Sequence, residues 1–208
     1  MTMKRFTSIT VSVVAVLLAI LALRALTFSS RQLKPSPLPP LAFNETAAVE
    51  RLSKAIQYRT VSGQDALPPA AEFSRFGEFL AASFPSLHTR VSRETVGEHS
   101  LLYTWKGKND TLKPILLMGH LDVVPVEPSS EASWRHPPFA GAIADGFIWG
   151  RGSMDDKAAV MGILEAVENL VNAGYEPERT IYLAFGHDEE IGGARGAAKI
   201  AELLRSRG

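Results

Sequence analysis

Cysteine is absent from all 208 residues, which excludes disulfides, thiolate metal sites and cysteine nucleophiles and leaves the redox compartment open. Net charge is absent as well, since 22 basic residues balance 22 acidic ones. The balance is uneven along the chain: Lys4, Arg5, Arg24, Arg31 and Lys34 all precede the first acid, Glu45. Without those five cations the remainder carries −5, so it lacks the basic footprint that a nucleic-acid partner requires. No self-similarity at a period of roughly 20–50 residues is visible, which removes solenoids and propellers. What remains, 46% hydrophobic and 21% charged residues in 22.6 kDa, suits one globular core.

Long apolar runs are scarce, with one exception. After Lys4-Arg5, positions 9–23 read ITVSVVAVLLAILAL, and Arg24 is followed by Ala-Leu-Thr-Phe. A terminal, basic-flanked run of this kind is an export signal or a membrane anchor. Counted from Phe6 to Phe28 the stretch has 23 residues, enough to span a bilayer with Arg24 snorkelling to the interface. No clear small-x-small cleavage site follows it, which favours a retained anchor over residues 1–28 with the rest of the chain exported. Secretion after cleavage is the alternative. Residues 33–40, LKPSPLPP, form the heart of a proline-rich linker over 29–42, and a folded domain is expected over 43–208.

Within that domain Asn44 is placed to cap a helix over about 45–58, and Phe73, Phe76, Phe79 and Leu80 recur at helical spacing over 70–83. Two strand-like runs follow, 88–95 and 100–105. Ile115 to Met118 is an apolar run long enough for a strand buried on both faces, and Gly119 punctuates it. A loop over 124–144, a short strand at 146–149, a helix beginning after Asp156, a strand at 180–185 and a final helix over about 193–205 complete the pattern. In the middle helix Val160, Leu164, Val167 and Val171 are expected inside, with Glu165, Glu168 and Asn172 outside. Alternation of strands and helices predicts an α/β fold with a mostly parallel sheet flanked by helices.

Three polar clusters interrupt this apolar pattern where a strand gives way to a loop or helix: His120/Asp122, Asp155/Asp156 and Asp188/Glu189/Glu190. Ligands of open α/β sheets bind at the carboxyl ends of the strands. One imidazole with several carboxylates is a donor set for zinc, or for manganese or cobalt, and carries too much nitrogen for a calcium or magnesium cage. Carboxylates crowded so closely repel one another unless a cation lies between them. A two-metal site is consistent with this set. Taken singly, each cluster has a plainer explanation as a turn, a helix cap or a solvated acidic loop. Their shared placement is the signal.

The stretches GHLDVVP, SWRHPPFAG, WGRGSMDDKAAV and HDEEIGG, in this order, resemble the zinc-dependent exopeptidase and aminoacylase family. GHDEE and the amino-terminal apolar segment look most like its carboxypeptidase S and N-acyl-amino-acid hydrolase branch. The resemblance spans roughly 43–208 and implies a zinc-exopeptidase-like catalytic domain. It implies that His120, Asp155 and Glu190 are metal ligands, with Asp155 bridging two Zn2+ ions. It further implies that Glu189 is the general base, and that Asp122 orients the His120 ring, as metal-bound histidines require. A cis peptide between Asp155 and Asp156 is also implied, and amide hydrolysis of short peptides or N-acyl amino acids is the expected reaction. The family pattern needs a further acidic ligand soon after the last helix, a distant histidine, and an inserted dimerisation domain. None of these has a counterpart here. The sequence is therefore expected to be the amino-terminal part of a longer enzyme, able to form a homodimer only in its full-length form. An unpaired sheet edge is expected to leave residues 1–208 alone marginally stable. The alternative is a membrane-anchored, non-catalytic relative that binds metal, peptide or a full-length partner.

Overall fold

A computed structural model describes residues 3–33, 35–37, 43–63 and 69–208. The chain divides into two units, Met1–Leu41 and Ala42–Gly208. The first contains helix α1, Met3–Leu26, free of glycine and proline, of which Thr7–Leu26 is long and apolar enough to cross a membrane. Of the expected linker, residues 34 and 38–42 lie outside the described residues.

The second unit begins at Asn44, whose Oδ1 accepts the Ala47 N–H at 3.0 Å and so caps helix α2, Glu45–Ile56. Helix α3, Ala70–Ser83, turns Phe73, Phe76 and Leu80 inward at helical spacing. A four-residue helix α4, Leu87–Arg90, then leads into strands β1, Ser92–Val96, and β2, Ser100–Trp105. The expected strand over 88–95 is thus helical in its first part, where His88 Nδ1 meets the Phe84 carbonyl at 2.7 Å. Strand β3 is Ile115–His120, helix α5 is Pro128–Glu131, and strands β4 and β5 are Ala142–Ala144 and Phe147–Trp149. Helix α6, Lys157–Asn172, strand β6, Ile181–Gly186, and helix α7, Ala197–Arg207, follow.

The main sheet has the order β1-β2-β6-β3. Only β3 and β6 pair in parallel, whereas β1–β2 and β2–β6 are antiparallel. Helices flank the sheet as expected, but among the described residues the expectation of a mostly parallel sheet needs correction. The cause is local: three residues, Gly97 to His99, separate β1 from β2, too few for any crossover. Gly97 adopts φ +65°, and a Cβ there would lie 2.4 Å from the Arg195 carbonyl oxygen, so this hairpin depends on glycine.

Period-2 alternation divides the apolar residues between two layers. Leu101, Tyr103, Trp105, Leu183 and Phe185 face α3, α4 and α6, while Leu102 and Ala184 face Ile200 of α7. Full burial of a side chain such as Phe76, Leu164 or Phe185 contributes about 1.5–3 kcal/mol relative to exposure. Strand β3 departs from expectation. It is an edge strand, and Ile115, Leu116, Leu117 and Met118 are 38–68% exposed rather than buried on both faces.

Glu165 and Glu168, expected on the outer face of α6, are partly buried structural groups. Glu165 takes both Nε and Nη2 of Arg51 at 2.5 and 2.7 Å, joining α6 to α2. Glu168 accepts the N–H groups of Ser86 and Leu87 at the start of α4. The expected loop over 124–144 contains α5 and β4, the first strand of a hairpin. Asp145 and Gly146, both at positive φ, make the two-residue turn between β4 and β5.

Candidate metal centre

Parallel pairing of β3 with β6 sets His120 opposite Gly186, so the segments following both strands emerge at one sheet edge. His120 ends β3. Beyond β6 the chain turns through a 3-10 segment, Glu189–Ile191. Asp155 and Asp156 arrive from a third direction at the start of α6, joined by a cis peptide bond. Gly119 permits this approach, since a Cβ there would lie 2.9 Å from Asp156 Oδ2. Without that Cβ, Asp156 Oδ2 accepts the His120 backbone N–H at 3.1 Å.

His120, Asp155 and Glu190 each offer one ligand atom, and the three atoms lie within 4.8 Å of one another. His120 Nε2 stands 2.8 Å from Asp155 Oδ1 and 4.0 Å from a Glu189 carboxylate oxygen. The imidazole is buried, whereas the side chains of Asp155 and Glu189 are 78% and 59% exposed, so the cluster has a fixed floor and an open mouth. Burial opposes the charged imidazole, but the hydrogen bonds with Asp122 and Asp155 outweigh it and lift the His120 pKa to about 9. Burial, and then the neighbouring Asp155 charge, push the Glu190 carboxyl above its ordinary range. One nitrogen and two oxygen donors, with carboxylates that disfavour one another's ionisation, form a set that fits a divalent ion of the zinc type.

Asp122 lies beneath the cluster and is fully buried. Its two carboxylate oxygens accept the N–H groups of Glu189 and Glu190, each at 3.1 Å. His120 Nδ1 is 3.0 Å from the Asp122 carbonyl and 3.3 Å from its carboxylate, so the main chain provides the nearer orienting contact. Burial raises the Asp122 pKa, but the hydrogen bonds with His120 and then Ser62 outweigh it and hold the group below the usual carboxylate range.

Lys157 follows the paired aspartates directly in sequence but does not join their cluster. It is instead completely buried, donating from Nζ to the carbonyls of Ala55 and Tyr58 at 2.9 and 2.6 Å, over the Phe76 ring. His187 points away from the cluster, with Nδ1 2.7 Å from Ser100 Oγ. His88 and His99 are half-buried against Tyr103 and Phe73. The His136 ring lies 5.3 Å from that of Trp149. Sequence reasoning missed Asp156 as an anchor for the His120 main chain, and the doubled aspartate directly ahead of α6 was the available signal.

A helix-flanked sheet thus brings one imidazole and two carboxylates to one edge, from the end of β3, the start of α6 and the segment after β6. Residues 116–208 match the family model of Peptidase family M20/M25/M40. Probable carboxypeptidase S-like 2 of Dictyostelium discoideum is 45% identical over 195 residues, covering 88% of this chain and 37% of that protein. The N-fatty-acyl-amino acid synthase/hydrolase PM20D1 of Mus musculus is 40% identical over 184 residues, covering 86% of this chain and 36% of that protein. The chain therefore spans little more than a third of the length of these relatives. In fold it is similar to the M20 family metallo-carboxypeptidase Sso-CP2 from Sulfolobus solfataricus. The TM-score is 0.58 at 22% identity, over 72% of this chain and 32% of that one.

Proposed function

We propose that this chain carries part of the zinc centre of a hydrolase that cleaves the amide bond of short peptides or N-acyl amino acids. The observation that carries the reading is the convergence of His120, Asp155 and Glu190 from three separate segments to within 4.8 Å. In this reading those three side chains would hold Zn2+, or Mn2+ or Co2+ as chemical substitutes, and Asp155 would be the ligand that a second ion shares. When bound, the metal supplies Lewis acidity, polarising the amide carbonyl and acidifying a water. Glu189, exposed at the mouth, takes the proton of the attacking water and returns it to the leaving amine. Asp122 acts through its neighbours, fixing the Glu189–Glu190 main chain and the His120 ring. Substrate choice between peptides and N-acyl amino acids follows the names of the relatives, a carboxypeptidase and an acyl-amino-acid enzyme. Helix α1 is read as a signal anchor over residues 1–28 that places 43–208 outside the cytosol, with cleavage and secretion as the alternative.

Metal analysis of the full chain after dialysis, beside Asp155→Ala, tests the centre. Near-stoichiometric zinc that is lost in the variant is the expected result. A folded wild-type sample with no zinc would refute the metal-hydrolase reading of these residues.

A further inference from the structure

Glu189 and Glu190, the general-base and metal-ligand candidates, stand on a segment that several elements pin. Asp122 takes their N–H groups. The two residues before them are held elsewhere, by the turn between β1 and β2 and by the start of α7. Ser100, the first residue of β2, is fully buried, and its single hydroxyl meets His187 twice. Oγ accepts the His187 N–H at 3.2 Å and stands 2.7 Å from ring Nδ1. A hydroxyl can accept one bond while donating another, so both go to the same residue when Nδ1 is the acceptor. The His187 carbonyl takes the Ser62 hydroxyl at 3.3 Å, and the buried ring sits edge-on to Phe73 and His99 at 5.9 and 5.5 Å. His187 is thus fixed in both main chain and ring. Asp188, also buried, accepts the Arg195 N–H at 2.7 Å, and Arg195 in turn holds Glu98 through Nε at 3.1 Å and through Nη2. Gly196 permits this closure, since a Cβ there would lie 2.7 Å from Ser100 Oγ and closer still to Asp188 Oδ1.

We propose that Ser100 and His187 are positioning residues for the metal centre, with the Ser100 hydroxyl setting, through His187, where Glu189 and Glu190 point. Neither residue belongs to the donor set. The Glu189 side chain is 59% exposed, so its direction is set by the main chain beneath it rather than by packing. That main chain leaves β6 at His187. A hydroxyl that ties His187 to β2 therefore ties the candidate base and ligand to the same sheet whose strand β3 ends in His120. Ser100, His187 and Asp188 are all buried inside this chain, so the network relies on no exposed surface. The assignment rests on the metal-hydrolase reading above.

The test is titration of the full chain in lipid nanodiscs with Co2+, whose visible absorption when bound reports the arrangement of its ligands as well as occupancy. Ser100→Ala deletes both contacts with His187. It is expected to shift the absorption bands and to weaken Co2+ binding by ~10-fold, since outer partners of metal ligands change affinity by about 10–100-fold. His187→Phe keeps a ring beside Phe73 and His99 but deletes Nδ1. It should move the same bands with a smaller loss of affinity, and it is the probe if Ser100→Ala does not fold. Ser53→Ala is the comparison, because it removes a part-buried hydrogen bond to the Gly141 carbonyl. It should lower the urea midpoint and leave the Co2+ spectrum unchanged, which is how a merely structural Ser100 would behave. Unshifted bands and affinity within about threefold of wild type, in folded Ser100→Ala and His187→Phe, would overturn the positioning role and leave the metal centre standing. A wild type that takes up no Co2+ would sink the metal-hydrolase reading, and the positioning role with it.

Discussion

Replacing Asp122 by Asn changes almost no volume and tests whether this buried carboxylate organises the cluster. Asp122 is 0% exposed and spends its two oxygens on the N–H groups of Glu189 and Glu190, both at 3.1 Å. An amide offers one acceptor oxygen, so its NH2 must face a main-chain donor. One N–H loses its partner at a cost of about 1–3 kcal/mol. The surviving bond falls from charge-assisted to neutral, roughly halving its strength. The expected loss of folding stability at pH 7 is therefore about 2–4 kcal/mol. Metal binding is weakened separately, because Glu190 and His120 are no longer held in register. Outer partners of metal ligands typically change affinity by about 10–100-fold, or 1.4–2.7 kcal/mol.

Two assays read the two effects: urea unfolding of the zinc-free protein, and competition for zinc against a chromophoric chelator. The native Asp122 pKa is held below its ordinary value of 3.8. Its contribution is thus present above that value and disappears as pH falls through the lower native pKa. The stability gap between wild type and Asp122→Asn should accordingly narrow below pH 3.8. Zinc affinity of the folded variant within threefold of wild type would refute the argument.

Two other outcomes follow from neighbouring residues. Lys157→Met keeps the apolar stem but leaves the carbonyls of Ala55 and Tyr58 without a donor, so differential scanning calorimetry should show a loss of about 2–4 kcal/mol. Burial pulls the Lys157 pKa from 10.5 down to about 7. Between those values the unfolded chain binds more protons, so wild-type stability should rise with pH across that window. Unfolding midpoints of zinc-free Lys157→Met that rise equally would sink this assignment. Glu189→Gln should bind zinc like wild type yet lower any amide hydrolysis by about 10²–10⁴-fold, the usual contribution of general acid-base catalysis. Undiminished turnover of an N-acyl amino acid would remove Glu189 from that role.

Local chemistry explains which features were legible in the sequence. Periodicity located α2 and α3 because Asn44 has a free acceptor for the Ala47 N–H and the phenylalanines of α3 recur on one stripe. Strand-end placement brought three polar clusters forward, the family resemblance picked His120, Asp155 and Glu190 out of them, and the fold draws their donor atoms together. Burial was the harder quantity. The run Ile115–Met118 reads as a core strand, yet its exposure depends on whether another strand lies beside β3, which four apolar letters do not encode. Sheet direction was misjudged for a related reason: alternation of strands and helices counts elements, whereas the three-residue connection from β1 to β2 decides their polarity. Lys157 shows the limit most clearly. Its sequence neighbours are carboxylates, but its four-carbon stem reaches away from them to two carbonyls at the end of α2, so a charge adjacent in sequence joins a different layer in space. That link ties the helix following Asp155 to the rest of the core, which makes the position of this metal-ligand candidate depend on packing as well as on motif.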